Sequence, residues 1–188
     1  MKTRAKLRQF TAAAVFWGLI QSASAQFTFV TNNGAITITA YTGSSPSAII
    51  PAATNGYPVT TIGNAAFGGH TSLTAVTIPN SVTNIGAFAF TGTGLTGIAI
   101  PGSVTSIGQN AFESCNGLTS ISVNATNPAY SSQSGVLFDK AKDTLLQYPT
   151  ASKNGSYTAP GSVLTIANNA FYGASNLSSV TILGRVGS

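Results

Sequence analysis

Residues 78–122 read IPNSVTNIGAFAFTGTGLTGIAIPGSVTSIGQNAFESCNGLTSIS, and the phrase Ile-Gly-x-x-Ala-Phe occurs in them twice, at 85–90 and 107–112. Working outward, it recurs at 62–67, and at 166–171 with Ala167 in the glycine position. A leucine follows each phenylalanine by five or six residues, as Leu73, Leu95, Leu118 and Leu177. Three places further stand Val76, Ile98, Ile121 and Val180, and two beyond those Ile78, Ile100, Val123 and Ile182. Pro79 and Pro101 come next in two copies, and a Ser-Val pair recurs at Ser81, Ser103 and Ser162. The period is 23 residues from Ile62 to Ile85 and 22 from Ile85 to Ile107, but Ile107 and Ile166 are 59 apart, leaving 36 residues beyond one unit.

A fixed period of this length marks a stacked array. Leu-x-x-Val-x-Ile puts alternate apolar residues on one side of a short strand. The Val-x-x-Ile and Ala-Phe positions supply further inward side chains as the chain loops back. One unit cannot bury these residues alone, whereas stacking lets each Phe, Leu and Ile pack on its copy in the next coil. Strands of successive coils then pair in parallel, ~4.8 Å apart.

The stretch from IPNSVTNIGAFAF to LTGIAIPGSVTSIGQNAFESCNGLTSIS resembles the BspA-type leucine-rich-repeat family of bacterial and protozoan secreted or surface proteins, over residues 48 to 183. The resemblance implies a leucine-rich-repeat solenoid, mainly β, with one short parallel strand per coil and turns or short helical or 3-10 segments on the other face. It also implies adhesion to host or matrix proteins, the role of those members that have one assigned. Repeats are scaffolds onto which function is grafted, so that role needs its own evidence.

Composition sets further bounds. Of 188 residues, 61 are Thr, Ser or Asn and only 6% are charged. Hydroxyls and amides therefore wet the surface, and chemistry that gathers several ionisable groups is disfavoured. Lys2, Arg4, Lys6 and Arg8 precede an apolar run from Phe10 to Ile20 and the small-residue site Ala23, Ser24, Ala25. This is the pattern of a secretory signal peptide over residues 1–25, cleaved after Ala25. The apolar run is too short to cross a bilayer, which takes about 20 residues. Cleavage turns the formal charge of +5 into +1, so no basic stripe remains for nucleic acid and the expected location is secreted or cell-surface. One cysteine precludes an internal disulfide.

Residues 26–47 read as an N-terminal β cap. Phe27, Phe29, Ile36 and Ile38 alternate around Asn32-Asn33-Gly34, a hairpin turn signal. The array then runs over 48–188. Its 36 extra residues form a variant insert at about 124–158, where two apolar strands flank Asp139, Lys140, Ala141, Lys142 and Asp143, a charged hairpin tip. With Lys153, this insert holds five of the seven charged residues that follow the leader. No capping segment follows Ile182, which leaves two expectations: a gene product truncated at this end, or end-to-end association through an uncapped coil.

His70 and Cys115 each lie three places after a repeat phenylalanine, where the last copy has Ala174. They fill one turn slot in different coils and are read as structural. Asp139 and Asp143 resemble paired carboxylates but read as solvated charges at the tip. No catalytic residue, metal site or cofactor is expected. Outward strand positions are small: Ala75, Thr77, Gly97, Ala99, Ser120, Ser122, Ser179 and Thr181. Binding hot spots favour Trp, Tyr and Arg, so contact with an extracellular protein or glycan is expected at the insert, through Tyr130, Asp139, Lys140, Lys142, Asp143 and Tyr148. The alternative is a spacer within a larger surface protein, with no ligand of its own.

Overall fold

The computed structural model describes residues 26–184; the expected leader and Arg185 lie outside them. The described chain opens on an antiparallel hairpin, β1 (Phe27–Asn32) and β2 (Ala35–Tyr41). Asn33 and Gly34 close it at φ 50° and 75°. Both centres of such a turn need positive φ, so that its twist matches the strands. After β3 (Ser47–Ile49), a second Asn-Gly turn at Asn55 and Gly56 joins β4 (Ala53–Thr54) to β5 (Tyr57–Ile62). Regular coils follow with β6 (Ala75–Thr77), β7 (Asn84–Ile85), β8 (Gly97–Ile100), β9 (Ser106–Ile107) and β10 (Ser120–Val123). The insert supplies β11 (Tyr130–Gln133), β12 (Val136–Asp139) and β13 (Thr144–Gln147). The last coil carries β14 (Ser156–Ala159), β15 (Thr165–Ile166) and β16 (Ser179–Ile182).

The result is a β-solenoid with turns and no α-helix among the described residues. The strands expected from Leu-x-x-Val-x-Ile are β6, β8, β10 and β16, and they pair in parallel as β3–β6, β8–β10 and β14–β16. Each regular coil has a second strand as well, where one was expected. On that side β2, β5, β7 and β9 form a parallel ladder. The Ile of Ile-Gly-x-x-Ala-Phe sits in this ladder, and the next residue continues it: Gly86 N–H donates to Ile62 at 2.8 Å and Gly108 N–H to Ile85 at 2.7 Å.

Close approach explains the glycine. A Cβ on Gly108 would meet the backbone N of Ala87 and come within 2.7 Å of its Cα; one on Gly86 would lie 2.7 Å from the backbone N of Asn64. Any side chain there would push the coils apart. The loop that follows turns through Ala65, Phe88, Asn110 and Asn169, all in one slot at φ 52° to 61°. That conformation costs an ordinary L-residue about 1–2 kcal/mol. It is offset by cross-coil bonds such as Phe67 N–H to Ala89 and Phe90 N–H to Ala111, both 2.8 Å.

Inside, the repeat phenylalanines stack. Ring centroids of Phe67 and Phe90 are 4.9 Å apart, and those of Phe90 and Phe112 5.7 Å apart with planes 7° from parallel. Tyr41 of the hairpin extends the stack at 5.3 Å from Phe67. Outside, the abundant hydroxyls bond from coil to coil as well as to water. Thr74, Thr96 and Thr119 each donate from Oγ1 to the backbone of the coil before, at Pro46, Thr74 and Thr96. Thr83 and Thr105 do the same along the other ladder.

The core is not continuous. One apolar cluster runs from Phe27 to Phe112, Leu118, Ile121 and Leu137; a second holds Val136, Phe138, Leu145, Tyr148, Val163 and Ala170. The boundary lies between the coil of Phe112 and the insert. There β9 pairs with β7, while β13 pairs with β12 and β15 and not with β9.

Candidate functional site

The insert is a three-stranded antiparallel unit whose third strand, β13, pairs in parallel with β15 and so rejoins the array. Ser134 and Gly135 close its first turn at φ 52° and 80°. Its anchor is Asn127, which is fully buried. The Asn127 Nδ2 group donates to the Pro101 and Val104 carbonyls at 2.7 and 2.9 Å. Its Oδ1 accepts from the N–H groups of Ala129 and Tyr130 at 2.9 and 2.7 Å. A lone asparagine in a run of Asn, Thr and Pro carries no pattern that marks it in the sequence.

Of the six residues expected at a contact surface, Tyr148 alone is buried; Lys140 is exposed and the other four are partly exposed. Tyr148 is only 2% exposed, and this corrects its expected role: its ring fills the repeat-phenylalanine slot, 5.4 Å from Phe171, with the hydroxyl donating to Ser152. Tyr130 is half-buried, and its hydroxyl accepts the N–H of Ile107 at 2.8 Å, on the edge of β9. Lys140 Nζ donates to the Asn127 and Ala125 carbonyls at 2.6 and 3.3 Å, and Lys142 Nζ to Gln133 Oε1 at 3.0 Å. Asp139 Oδ1 accepts from the Thr144 N–H, and Asp143 Oδ1 from the Thr144 hydroxyl. The tip charges thus bond within the insert, with Lys140 exposed and Asp139, Lys142 and Asp143 partly exposed.

Burial pushes the Asp139 carboxyl above the ordinary carboxylate range, the neighbouring Asp143 adds to the effect, and the Thr144 N–H offsets part of it. A raised carboxylate binds its proton more tightly folded than unfolded. Stability from this group is therefore gained as pH falls toward the unfolded value of about 4 and lost as pH rises through the folded one. Asp139→Asn should flatten this slope while keeping an acceptor for Thr144. Thermal midpoints taken between about pH 3 and 6 check it; a variant as pH-sensitive as the parent would contradict the assignment.

His70 and Cys115 lie in one slot, as expected, together with Thr93. Cys115 is fully buried, bonding Thr93 Oγ1 at 3.2 Å and the Phe90 carbonyl at 3.0 Å, and burial raises its thiol pKa. The His70 ring lies edge-on to Tyr41 at 5.0 Å. Among the described residues, no three His, Cys, Asp or Glu side chains come together as metal ligands.

A cleft of about 240 Å³ opens at the boundary between the two core clusters. Gln109, Asn110, Gln147 and Asn168 line it on the polar side, and Leu137 and Leu146 on the apolar side. Its origin is a count. From the ladder isoleucine to the core aromatic is five residues at Ile62, Ile85, Ile107 and Ile166. In the insert, Leu145 pairs with Ile166 and Tyr148 N–H donates to Ala170, which fixes Leu145 in the isoleucine slot and Tyr148 in the phenylalanine slot. Those two are three residues apart, so the loop is two residues short and cannot cover the coil before it. The glycine slot holds Leu146, whose strand β13 does not pair with β9, and then Ala167, which follows the shortened loop; both line the cleft.

Coils of this sequence and geometry match the family model for the BspA type leucine rich repeat region, in six copies over residues 36–138 and 150–188. The chain belongs to that family. Among BspA-type and other leucine-rich-repeat structures, it is similar to the pneumococcal vaccine antigen PcpA at 27% identity and TM-score 0.68, over 74% of this chain and 34% of that one. It shares the fold of a leucine-rich repeat protein from Eubacterium ventriosum at 24% identity and TM-score 0.54, over 87% of this chain and 59% of that one. The chain thus spans about a third of the antigen. No curated protein sequence matches it.

Proposed function

We propose that this BspA-type chain is an exported, non-catalytic repeat protein that works at the cell surface or outside it by contact with a protein or glycan. One observation carries the reading: between two regular stretches of the array the insert's loop is two residues short, and that break forms a cleft lined by amide and apolar residues. A scaffold without a ligand has no use for a gap in its own core. Support for the location comes from the family, from the similarity to a vaccine antigen, and from the leader pattern of residues 1–25. No helix of the described residues is long and apolar enough to cross a membrane.

The spacer reading draws on a different observation. The outward positions of β6, β10 and β16, such as Thr77, Ser120, Ser122 and Thr181, are small and exposed, and no aromatic or charged side chain stands among them. Presenting the protein to arrays of extracellular-matrix proteins and glycans separates the two. Saturable binding to a member of either array is expected, and uniformly blank arrays would leave the spacer.

A further inference from the structure

Between regular coils, each loop donates backbone N–H groups to carbonyls of the next. Ala65 and Phe67 donate to Ala87 and Ala89 at 3.0 and 2.8 Å, and Phe88 and Phe90 to Gln109 and Ala111 at 3.1 and 2.8 Å. The same register makes Asn110 and Phe112 the next pair of donors. Their acceptors would be two carbonyls on the insert's loop, but that loop is two residues short. Neither N–H has a hydrogen-bond partner among the described residues, and both residues line the cleft. One wall therefore presents two backbone donors, aimed along the stacking direction into space that a peptide backbone fills between the preceding coils.

The opposite wall is polar and neutral. Gln147 is 7% exposed, and its Nε2 donates to the Tyr148 carbonyl at 3.0 Å, leaving Oε1 without a partner among the described residues. Asn168 also lines the cleft, and Leu137 and Leu146 give a place for a small apolar side chain. No ionisable side chain lines the cleft. A charged ligand would lose its hydration there without gaining a counter-charge.

We propose that this cleft binds a neutral, extended peptide segment of a protein partner, two of whose backbone carbonyls accept from Asn110 and Phe112. This rests on the surface-contact reading and narrows its partner to a protein. The segment takes the place of the missing part of the loop, with main-chain bonds giving affinity and the apolar patch choosing the side chain, as in other cases of backbone addition. A glycan offers hydroxyls rather than paired carbonyls, and the one aromatic ring at the cleft, Phe112, is 1% exposed and cannot stack on a sugar.

The test is a titration of the isotope-labelled protein with acetyl-Gln-Asn-Ala-amide, followed by amide resonances. This probe copies residues 109–111, whose first and third carbonyls accept from Phe88 and Phe90. Saturating shifts are expected at the Asn110 and Phe112 amides and the Gln147 side chain, with Phe88 and Phe90 still. Added salt should leave the midpoint unchanged. Ala167→Leu, which fills the cleft from the coil side, should weaken binding about tenfold with the rest of the spectrum in place. Silent Asn110 and Phe112 amides would overturn the proposal, as would an equal response to cellotriose. The wild-type titration decides the matter even if the variant misfolds. A silent titration beside protein-positive arrays removes the cleft alone, whereas blank arrays remove the wider reading.

Discussion

Phe90→Ala should lower the unfolding free energy by about 4 kcal/mol. The ring is fully buried and stacked on both sides, 4.9 Å from Phe67 and 5.7 Å from Phe112. Truncation leaves a cavity that neither neighbour can fill without leaving its own coil. In a stacked array, stability is approximately a sum of coil and nearest-neighbour terms, so a lesion in a middle coil weakens two interfaces. Against a total of about 5–15 kcal/mol for an ordinary domain, the loss is large. Phe171→Ala should cost about half as much, since a partly exposed ring has less burial to lose. Urea unfolding of both variants beside the parent gives the order; similar midpoints for the two would contradict the stack as the main source of stability.

Asn127→Leu should cost about 4 kcal/mol, although leucine is the more hydrophobic residue. The change strands the carbonyls of Pro101 and Val104 and the N–H groups of Ala129 and Tyr130, all of which bond the Asn127 amide. Each group left buried and unpaired carries a desolvation penalty of about 1–3 kcal/mol. Asn127→Asp is the sharper variant. It keeps the two acceptor bonds but turns a carboxylate oxygen toward two carbonyls, so its pKa should rise in the folded state. Its stability should then be highest in acid and fall as pH rises through that pKa. Denaturation at two pH values reads this out, and an Asp variant as stable as the parent at neutral pH would refute the assigned bonding.

The repeat was legible because its signal is long: six positions recur in register, and β6, β8, β10 and β16 fall where Leu-x-x-Val-x-Ile puts them. The turn at Asn33 and Gly34 was legible for a local reason, since few residue pairs tolerate positive φ at both centres. The second ladder was not, because β7, β9 and β15 are two residues each and too short to show alternation. In the insert, Leu145, Leu146 and Gln147 fall in β13 as an apolar strand should, with Tyr148 just past its end, yet nothing in the local sequence marks their places within the repeat. An aromatic ending a strand points in or out with equal ease, and only the pairing with Ile166 and the bond to Ala170 put Tyr148 inside. The clue to the cleft was present in the chain as Leu146 and Ala167 standing in a glycine slot. Its meaning depends on knowing that glycine there is demanded by the coil beneath.

Native-state amide hydrogen exchange tests the central claim most directly, because it asks whether the coil before the insert is uncovered. Phe88 and Phe90 donate to the next coil, and their amides should exchange only through opening of the array. Asn110 and Phe112 occupy the same two slots one coil later with no acceptor, and should exchange far faster than the first pair in the unliganded protein. Equal protection of the two pairs would mean that the stack is closed at the insert, that no cleft exists there, and that the account of this chain as a contact protein built around a gap in its repeats is wrong.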